Sequence, residues 1–111
     1  MKKVLIIDDE VDFCLLLKAY LTRHQYQVYY AHTLRDGIEQ AKKISPEIIF
    51  LDNNLPDGKG WECVEEILTK KPSLKLYLIS AYRQKVDLGY TSPNLVLWEK
   101  PISLSLLEGI F

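Results

Sequence analysis

Short apolar runs alternate along the chain with segments whose apolar residues recur at helical spacing. The runs are Val4–Ile7, Val28–Ala31, Ile48–Leu51, Leu76–Ile79 and Leu95–Trp98. The inner runs are continuous rather than alternating in polarity, as expected for strands of a parallel sheet that helices cover on both faces. The pattern therefore predicts five parallel strands.

The segments between the strands carry helix signals. The apolar positions of the first helix follow an i, i+3, i+4, i+7, i+8 pattern: Phe13, Leu16, Leu17, Tyr20 and Leu21. Thr33 can cap the second helix together with Asp36, and Pro46 ends that helix because proline cannot continue the hydrogen-bond ladder. The inner positions of the remaining helices are Trp61, Val64 and Leu68 in the third, and Leu104, Leu107 and Phe111 in the last.

The segment between Ser80 and Lys100 departs from this regular alternation. Arg83–Leu88 has room for only a short helix, because Gly89 and the turn residues 92–94 follow it closely. We therefore expect a short or irregular fourth helix. The whole alternation of strands and helices predicts a single α/β domain over residues 1–111, with a doubly wound parallel sheet and right-handed crossovers.

Composition and charge exclude several classes of protein. The formal net charge is −1 and the pI is about 6.1, whereas a nucleic-acid-binding domain usually has a high pI and a basic surface. The apolar run after Lys3 is too short for a secretion signal or a membrane span, so we expect a cytoplasmic protein without nucleic-acid or membrane partners. Cys14 and Cys63 have no ligand pattern near them and are expected to be reduced thiols rather than a disulfide or a metal site.

Polar residues follow the carboxyl ends of four strands, where ligands bind in an open parallel sheet. Asp8-Asp9-Glu10 follows the first strand, Asp52 the third, Ser80 the fourth, and Glu99-Lys100 the fifth. Carboxylates, a hydroxyl and an ammonium group should therefore face one crevice. Helix capping, turn chemistry or surface exposure can explain each of these residues alone, but not their coincidence.

This set of residues is suited to phosphoryl transfer. Two carboxylates about 4 Å apart repel by about 1 kcal/mol in water and by about 4 kcal/mol at an effective dielectric near 20. A divalent cation would remove that repulsion, and oxygen ligands suit Mg²⁺ better than zinc. An aspartate in such a site can act as a nucleophile and become an aspartyl phosphate. Lys100 could neutralise charge on the transferring group, and Ser80 could donate a hydrogen bond to it.

Four segments, "LIIDDE", "IIFLDNNLPDGKG", "LISA" and "WEKP", together resemble the receiver domain of two-component response regulators, the CheY-like family. The resemblance covers essentially the whole chain, in the same order and at similar spacing. It implies a flavodoxin-like fold with a five-stranded sheet in the order 2-1-3-4-5. It also implies Mg²⁺-dependent phosphorylation by a sensor histidine kinase or a phosphotransfer protein, followed by a conformational switch that a fused or separate effector reads.

The resemblance assigns roles to the acidic residues. Asp52 would be the phosphoacceptor and would also contact the metal ion. Asp9 would bind Mg²⁺ directly and Asp8 would assist, while Asn54 would offer its backbone carbonyl. Such a domain is a phosphoacceptor rather than an enzyme with a separate substrate, although it would slowly catalyse its own dephosphorylation.

The resemblance also assigns roles around the fourth and fifth strands. Ser80 would be the switch hydroxyl that moves toward the phosphoryl group, and Lys100 would pair with that group. The Lys100–Pro101 bond would be cis, at a cost of about 0.5–1 kcal/mol. Tyr82, two residues after Ser80, occupies a position that influences the hydrolysis rate in this family.

The chain departs from the family pattern in two places. Leu97 stands where the family usually has an aromatic residue, and Trp98 comes one position later, where strand alternation points it to the other face. The stretch from Ser80 to Lys100 and the last helix are also short, so signalling could use a different surface or the 111 residues could be a fragment. The cognate kinase, the effector and the oligomeric state stay open.

Two other functions remain as alternatives. The first is a receiver-like protein-binding module that is never phosphorylated, which the departures favour and the intact polar set disfavours. The second is a hydrolase that uses the same aspartate on a separate phosphate ester, for which the sequence shows no cap insertion.

Overall fold

The computed structural model describes residues 1–81, 83–86 and 88–110, without the side chain of Ile110. The strands are β1 (Lys3–Ile7), β2 (Gln27–Ala31), β3 (Ile48–Asp52), β4 (Asn54–Leu55), β5 (Gly58–Lys59), β6 (Lys75–Ser80) and β7 (Leu95–Glu99). The helices are α1 (Val11–Arg23), α2 (Leu34–Ile44), α3 (Trp61–Lys70) and α4 (Leu104–Ile110). Every predicted strand is present, and each begins or ends within one residue of its predicted bounds.

The main sheet has five parallel strands in the order β2-β1-β3-β6-β7. The short strands β4 and β5 form a separate antiparallel hairpin between β3 and α3. With this hairpin set aside, the sheet has the predicted order 2-1-3-4-5. The prediction of a doubly wound α/β domain is therefore confirmed.

Helices cover both faces of the sheet and divide the core into two layers. On one face, α1 and α4 pack against Ile6, Phe50, Tyr77 and Trp98 among others. On the opposite face, α2 and α3 pack against the alternate strand residues, such as Leu51. All five residues of β3 are buried, because this central strand is covered on both sides.

Side-chain caps fix the N-terminal end of α2 and connect it to the hairpin. Thr33 Oγ1 accepts the Asp36 N–H at 3.1 Å, as the sequence predicts. The Asp57 carboxylate, between β4 and β5, accepts the N–H groups of Leu34 and Arg35 at 2.8 and 2.9 Å. These bonds lower the pKa of Asp57 and tie the loop after β3 to the start of α2.

The segment between β6 and β7 is irregular, as expected. Its described residues (81, 83–86 and 88–94) contain no helix. Arg83 and Gly89 both have φ 58°, a left-handed conformation that a right-handed helix cannot include. Residues 86, 88 and 90 still pack against the core layer beneath α2 and α3.

Two residues with an expected role lie outside the described part of the chain. They are Tyr82, expected to influence hydrolysis, and Phe111, expected on the last helix. Within the described part of the chain, none of the helices has both the length and the apolar character needed to cross a bilayer.

Candidate functional site

Asp52 ends the central strand in a tightly packed environment. Only 3% of its surface is exposed. The adjacent Asn53 donates its N–H to the Ile79 carbonyl at 2.8 Å and accepts the Trp61 N–H on its side chain at 3.0 Å. Gly60 lies so close that a Cβ atom there would be 2.5 Å from the Asp52 carbonyl oxygen, so only glycine fits. The loop after β3 is therefore fixed by packing and hydrogen bonds.

The parallel register brings the acids of two strands together. Ile7 of β1 is paired with Leu51 of β3, so Asp8 and Asp52 follow directly at neighbouring strand ends. Carboxylate oxygens of Asp8, Asp9 and Asp52 lie within 4.8 Å of one another. Asp8 and Asp52 are buried, whereas Asp9 is exposed and open to solvent.

Lys100 reaches the same cluster from the end of β7. Its Nζ lies 3.2 Å from Asp8 Oδ2 and 3.9 Å from Asp52 Oδ2, and it hydrogen-bonds to Glu10 Oε1. The Lys100–Pro101 peptide bond is cis, as expected. The carboxylates of Asp8, Asp9, Asp52 and Glu10 and the ammonium group of Lys100 thus lie together at the sheet edge.

Burial and mutual repulsion change the acidity of the buried aspartates. Desolvation, with the negative charge of Asp8 as a second cause, raises the pKa of Asp52 to about 6, although Lys100 opposes the shift. Desolvation also raises the pKa of Asp8, against the lowering effects of the Glu10 N–H and of Lys100. The single ammonium group therefore does not fully compensate the buried acids.

The donor set fits Mg²⁺. The three clustered groups all offer oxygen ligands, and one of them opens to solvent, as an ion that keeps part of its water shell requires. Asp8 Oδ2 is buried and has an ion-pair distance to Lys100 but no directed hydrogen bond, so it has coordination capacity to spare. A divalent cation would also relieve the repulsion that raises the pKa of Asp52.

Ser80 and Asn54 lie on either side of Asp52. Asp52 is paired with Ile79 of β6, so Ser80 is one residue beyond the position opposite Asp52, and its hydroxyl donates to the Trp98 carbonyl at 3.5 Å. The Asn54 N–H donates to Asp52 Oδ1 at 3.3 Å. Contacts therefore join Asp8, Asp9, Asp52, Asn54 and Lys100 at one sheet edge, and the register places Ser80 at the neighbouring strand end, while the roles of all six residues stay predictions.

The acids that follow β1 do not cap α1 in the way that the alternative interpretation required. The N-cap of α1 is Glu10, whose side chain makes no capping hydrogen bond. Asp8 Oδ1 instead accepts the Glu10 N–H at 2.8 Å, which orients this carboxylate within the cluster.

Two residues of the site had no assigned role in the sequence. Glu10 holds the Lys100 ammonium group, and its place directly after the acid pair was the available signal. Gln84 hydrogen-bonds to Asn54, but no motif or spacing marks a glutamine in an irregular segment. Only the fold reveals that this segment returns to the loop after β3.

The chain is similar to known response regulators in sequence. The family model described as "Response regulator receiver domain" matches residues 4–91. The chemotaxis protein CheY of Thermotoga maritima is 32% identical over 85 residues, which are 76% of this chain and 71% of that protein.

Solved structures of receiver domains have the same fold. A CheY-like receiver domain from Methanospirillum hungatei superposes with a TM-score of 0.80 at 25% identity, covering 99% of this chain and 90% of that one. One from Methylobacillus flagellatus has a TM-score of 0.82 at 22% identity, covering 99% and 95%. A chain in the complex of histidine kinase ThkA with response regulator protein TrrA has a TM-score of 0.80 at 25% identity, covering 98% and 94%.

Proposed function

The chain belongs to the response regulator receiver domain family, and we propose that Asp52 accepts a phosphoryl group from a phosphohistidine of a partner kinase in an Mg²⁺-dependent reaction. The observation that carries this proposal is the cluster at the sheet edge. The carboxylates of Asp8, Asp9 and Asp52 lie within 4.8 Å of one another, with Lys100 Nζ 3.9 Å from Asp52 Oδ2.

The proposed transfer follows from the position of Asp52. One of its carboxylate oxygens attacks the phosphorus atom, the P–N bond to the donor histidine breaks, and the electron pair of that bond returns to the imidazole ring. The Lys100 ammonium moves from the aspartates to the phosphoryl oxygens, where it neutralises negative charge. Hydrolysis returns the domain to the unphosphorylated state: water attacks the phosphorus atom, inorganic phosphate leaves, and the Asp52 carboxylate is restored.

Asp8, Asp9 and Asp52, with the backbone carbonyl of Asn54, would hold the magnesium ion. When bound, Mg²⁺ would supply the positive charge that offsets the charge on the transferring phosphoryl group. The fixed loop after β3 keeps Asp52 in place for in-line attack, since positioning supplies much of the catalysis in reactions of this kind.

Phosphorylation would act as a switch by shifting the population between two conformations. Among the described residues, the Ser80 hydroxyl makes a single long hydrogen bond, to the Trp98 carbonyl, and such a weak bond would let it turn toward a phosphoryl group on Asp52. Leu97, with 55% of its surface exposed, occupies the position where the family usually has an aromatic residue that moves together with the switch hydroxyl.

A kinase or phosphotransfer partner is supported by the surface beside the acids. The exposed apolar residues Val11, Leu15 and Leu16 lie on α1, which begins directly after the cluster. Exposed apolar side chains grouped on a helix next to a reactive group are a common feature of protein docking sites. The similarity to the ThkA–TrrA complex supports the same class of partner.

A phosphorylation assay tests the proposal. The protein is incubated with Mg²⁺ and acetyl phosphate, and intact mass spectrometry should show the addition of one phosphoryl group. Asp52→Asn should abolish the addition, whereas the matched control Asp36→Asn, an exposed carboxylate on α2, should retain it. An unmodified native protein, or a modified Asp52→Asn protein, would contradict the proposal.

The second candidate function is a binding module that is not phosphorylated. The exposed Leu97 and the irregular segment after β6 favour it, because both change the surface that would report phosphorylation. The same assay decides between the two functions, since a binding module gains no phosphoryl group at any concentration of acetyl phosphate.

A further inference from the structure

We propose that the side chain of Gln84 is a latch that closes the acceptor site in the unphosphorylated protein and slows access of the phosphodonor to Asp52. This inference rests on the proposed function and adds a residue that controls the rate of the reaction without touching the reacting atoms.

The latch consists of a reciprocal pair of amides and one backbone contact. Asn54 Nδ2 donates to Gln84 Oε1 at 2.8 Å, and Gln84 Nε2 donates back to Asn54 Oδ1 at 2.9 Å. Gln84 Oε1 also accepts the Ala81 N–H at 3.1 Å. One carboxamide thus uses both its donor and its acceptor to join two separate loops.

These contacts join the loops that follow β3 and β6. Asn54 is two residues after Asp52, and Ala81 is the residue after Ser80. Because β3 and β6 are neighbours in the sheet, a side chain joining these two loops bridges the strand ends between which a phosphoryl group on Asp52 would meet Ser80. A cavity of about 290 Å³ lies beside Gln84 and is also lined by Ser80 and Leu97 among others.

The backbone is shaped to bring Gln84 to this position. The Gln84 N–H donates to the Ala81 carbonyl at 2.9 Å, which holds these two residues close together. Arg83, next to Gln84, has φ 58°, a conformation that arginine rarely adopts. Such strain is commonly found where a segment changes conformation for function.

The acceptor loop does not depend on Gln84 for its own geometry. Asn53 is held by Ile79 and Trp61, and the Gly60 N–H donates to the Asn53 carbonyl at 3.1 Å. Lys59 Nζ donates to Asn54 Oδ1 at 2.9 Å and would remain after loss of Gln84. Removing the carboxamide should therefore open the site and free the Ala81 N–H while leaving Asp52 in place.

The test compares Gln84→Met, which keeps the length of the side chain but has no amide, with Gln40→Met as a matched control. Gln40, on α2, also makes a side-chain hydrogen bond, to the Tyr30 carbonyl, and is not one of the residues assigned to the acidic site. Phosphorylation by acetyl phosphate in Mg²⁺ should be about three- to tenfold faster in Gln84→Met, which is the fold-change equivalent of about one net hydrogen bond. Hydrolysis of the phosphorylated protein should accelerate in the same way, and Gln40→Met should match the native rates.

Hydrogen exchange of the Ala81 amide provides a readout that needs no phosphorylation. The amide should be protected in the native protein and in Gln40→Met, and should lose protection in Gln84→Met and in the second variant Gln84→Ala. Unchanged protection, or unchanged or slower phosphorylation in both variants, would overturn the latch. If the native protein itself is not phosphorylated, the proposed function fails together with this inference, whereas a phosphorylated native protein with unchanged variant rates removes the latch alone.

Discussion

The strands β3 and β7 both supply groups to the acidic site, but they are packed very differently. All five residues of β3 are buried, and the loop that follows is fixed by Asn53 and Gly60. β7 lies at the edge of the sheet, and Trp98 is its only buried residue, while its neighbour Leu97 is 55% exposed. The described part of the segment that leads into β7 contains no helix.

This difference separates the two parts of a phosphorylation switch. The nucleophile requires a fixed position, and a central strand covered on both faces provides it. The residues that respond to phosphorylation must be able to move, and an edge strand beneath an irregular segment leaves them that freedom. The comparison predicts that perturbations of β3 affect stability and chemistry, whereas perturbations of the outer face of β7 affect neither strongly.

The largest predicted effect contrasts two adjacent residues of β7. Trp98→Ala should lower the free energy of unfolding by about 3–5 kcal/mol, because its ring packs against Tyr77 and Phe50 in the core. Leu97→Ala should change it by less than about 0.5 kcal/mol, since this side chain is largely exposed. Urea denaturation of both variants measures the difference, and similar losses would show that the outer face of β7 is packed after all.

The second effect concerns the buried charge of Asp52. The pKa of Asp52 is about 6 in the folded protein and near the ordinary aspartate value of 3.8 in the unfolded chain, so the folded state binds the proton more tightly. The ionised group therefore destabilises the fold as pH rises from about 4 to 6, and the full cost is present above pH 6. Asp52→Asn should raise the free energy of unfolding at pH 7 by about 1–3 kcal/mol.

The pH dependence of this variant separates the charge from other consequences of the substitution. The stabilisation by Asp52→Asn should decline on going from pH 7 to pH 4, where the native carboxyl is protonated in the folded state. Asp36→Asn serves as the exposed control at each pH. A gain that is the same at both pH values would exclude desolvated charge as its cause.

The third effect is stabilisation by magnesium without any phosphodonor. A ligand that binds only the folded state at ten times its Kd adds about 1.4 kcal/mol to the free energy of unfolding. Mg²⁺ should therefore raise the melting temperature of the native protein, and Asp9→Asn should remove most of this response because it removes a member of the cluster. An equal response in Asp9→Asn would place the ion elsewhere.

The smallest effect is the fluorescence response of Trp98 to phosphorylation. Its ring lies in the core layer beneath α1 and α4, with ring centroids 4.6 Å from Tyr77 and 5.8 Å from Phe50, rather than on the face that Leu97 occupies. In a Trp61→Phe background, which leaves Trp98 as the single tryptophan, phosphorylation should change the emission only modestly. A large quench would show that the buried face of β7 takes part in the switch.

The parts of the molecule that follow from periodic packing could be predicted from the sequence. Continuous apolar runs such as Ile48–Leu51 indicate strands covered on both faces, and the parallel arrangement then requires that Asp8 and Asp52 meet at one edge. The cap of Thr33 on α2 could also be predicted, because it joins Thr33 to Asp36, only three positions further along the chain.

The parts that depend on long-range side-chain contacts could not be predicted. Gln84 meets Asn54 across 30 residues, and Glu10 meets Lys100 across 90, without any periodicity to indicate either pair. The cap that Asp57 provides for α2 is of the same kind, because it joins a hairpin to a helix that precedes it in the chain. Such contacts depend on which distant segments a loop lies against, and only the folded structure determines this.

The most direct test of the central claim locates the phosphoryl group on the chain. The protein is phosphorylated with acetyl phosphate and Mg²⁺, reduced with borohydride, which converts an aspartyl phosphate to homoserine, and digested for peptide mass analysis. The account predicts homoserine at position 52 and unmodified aspartate at positions 8 and 9. Homoserine at position 8 or 9 instead, or phosphate retained on Ser80, would contradict the assignment of Asp52 as the acceptor.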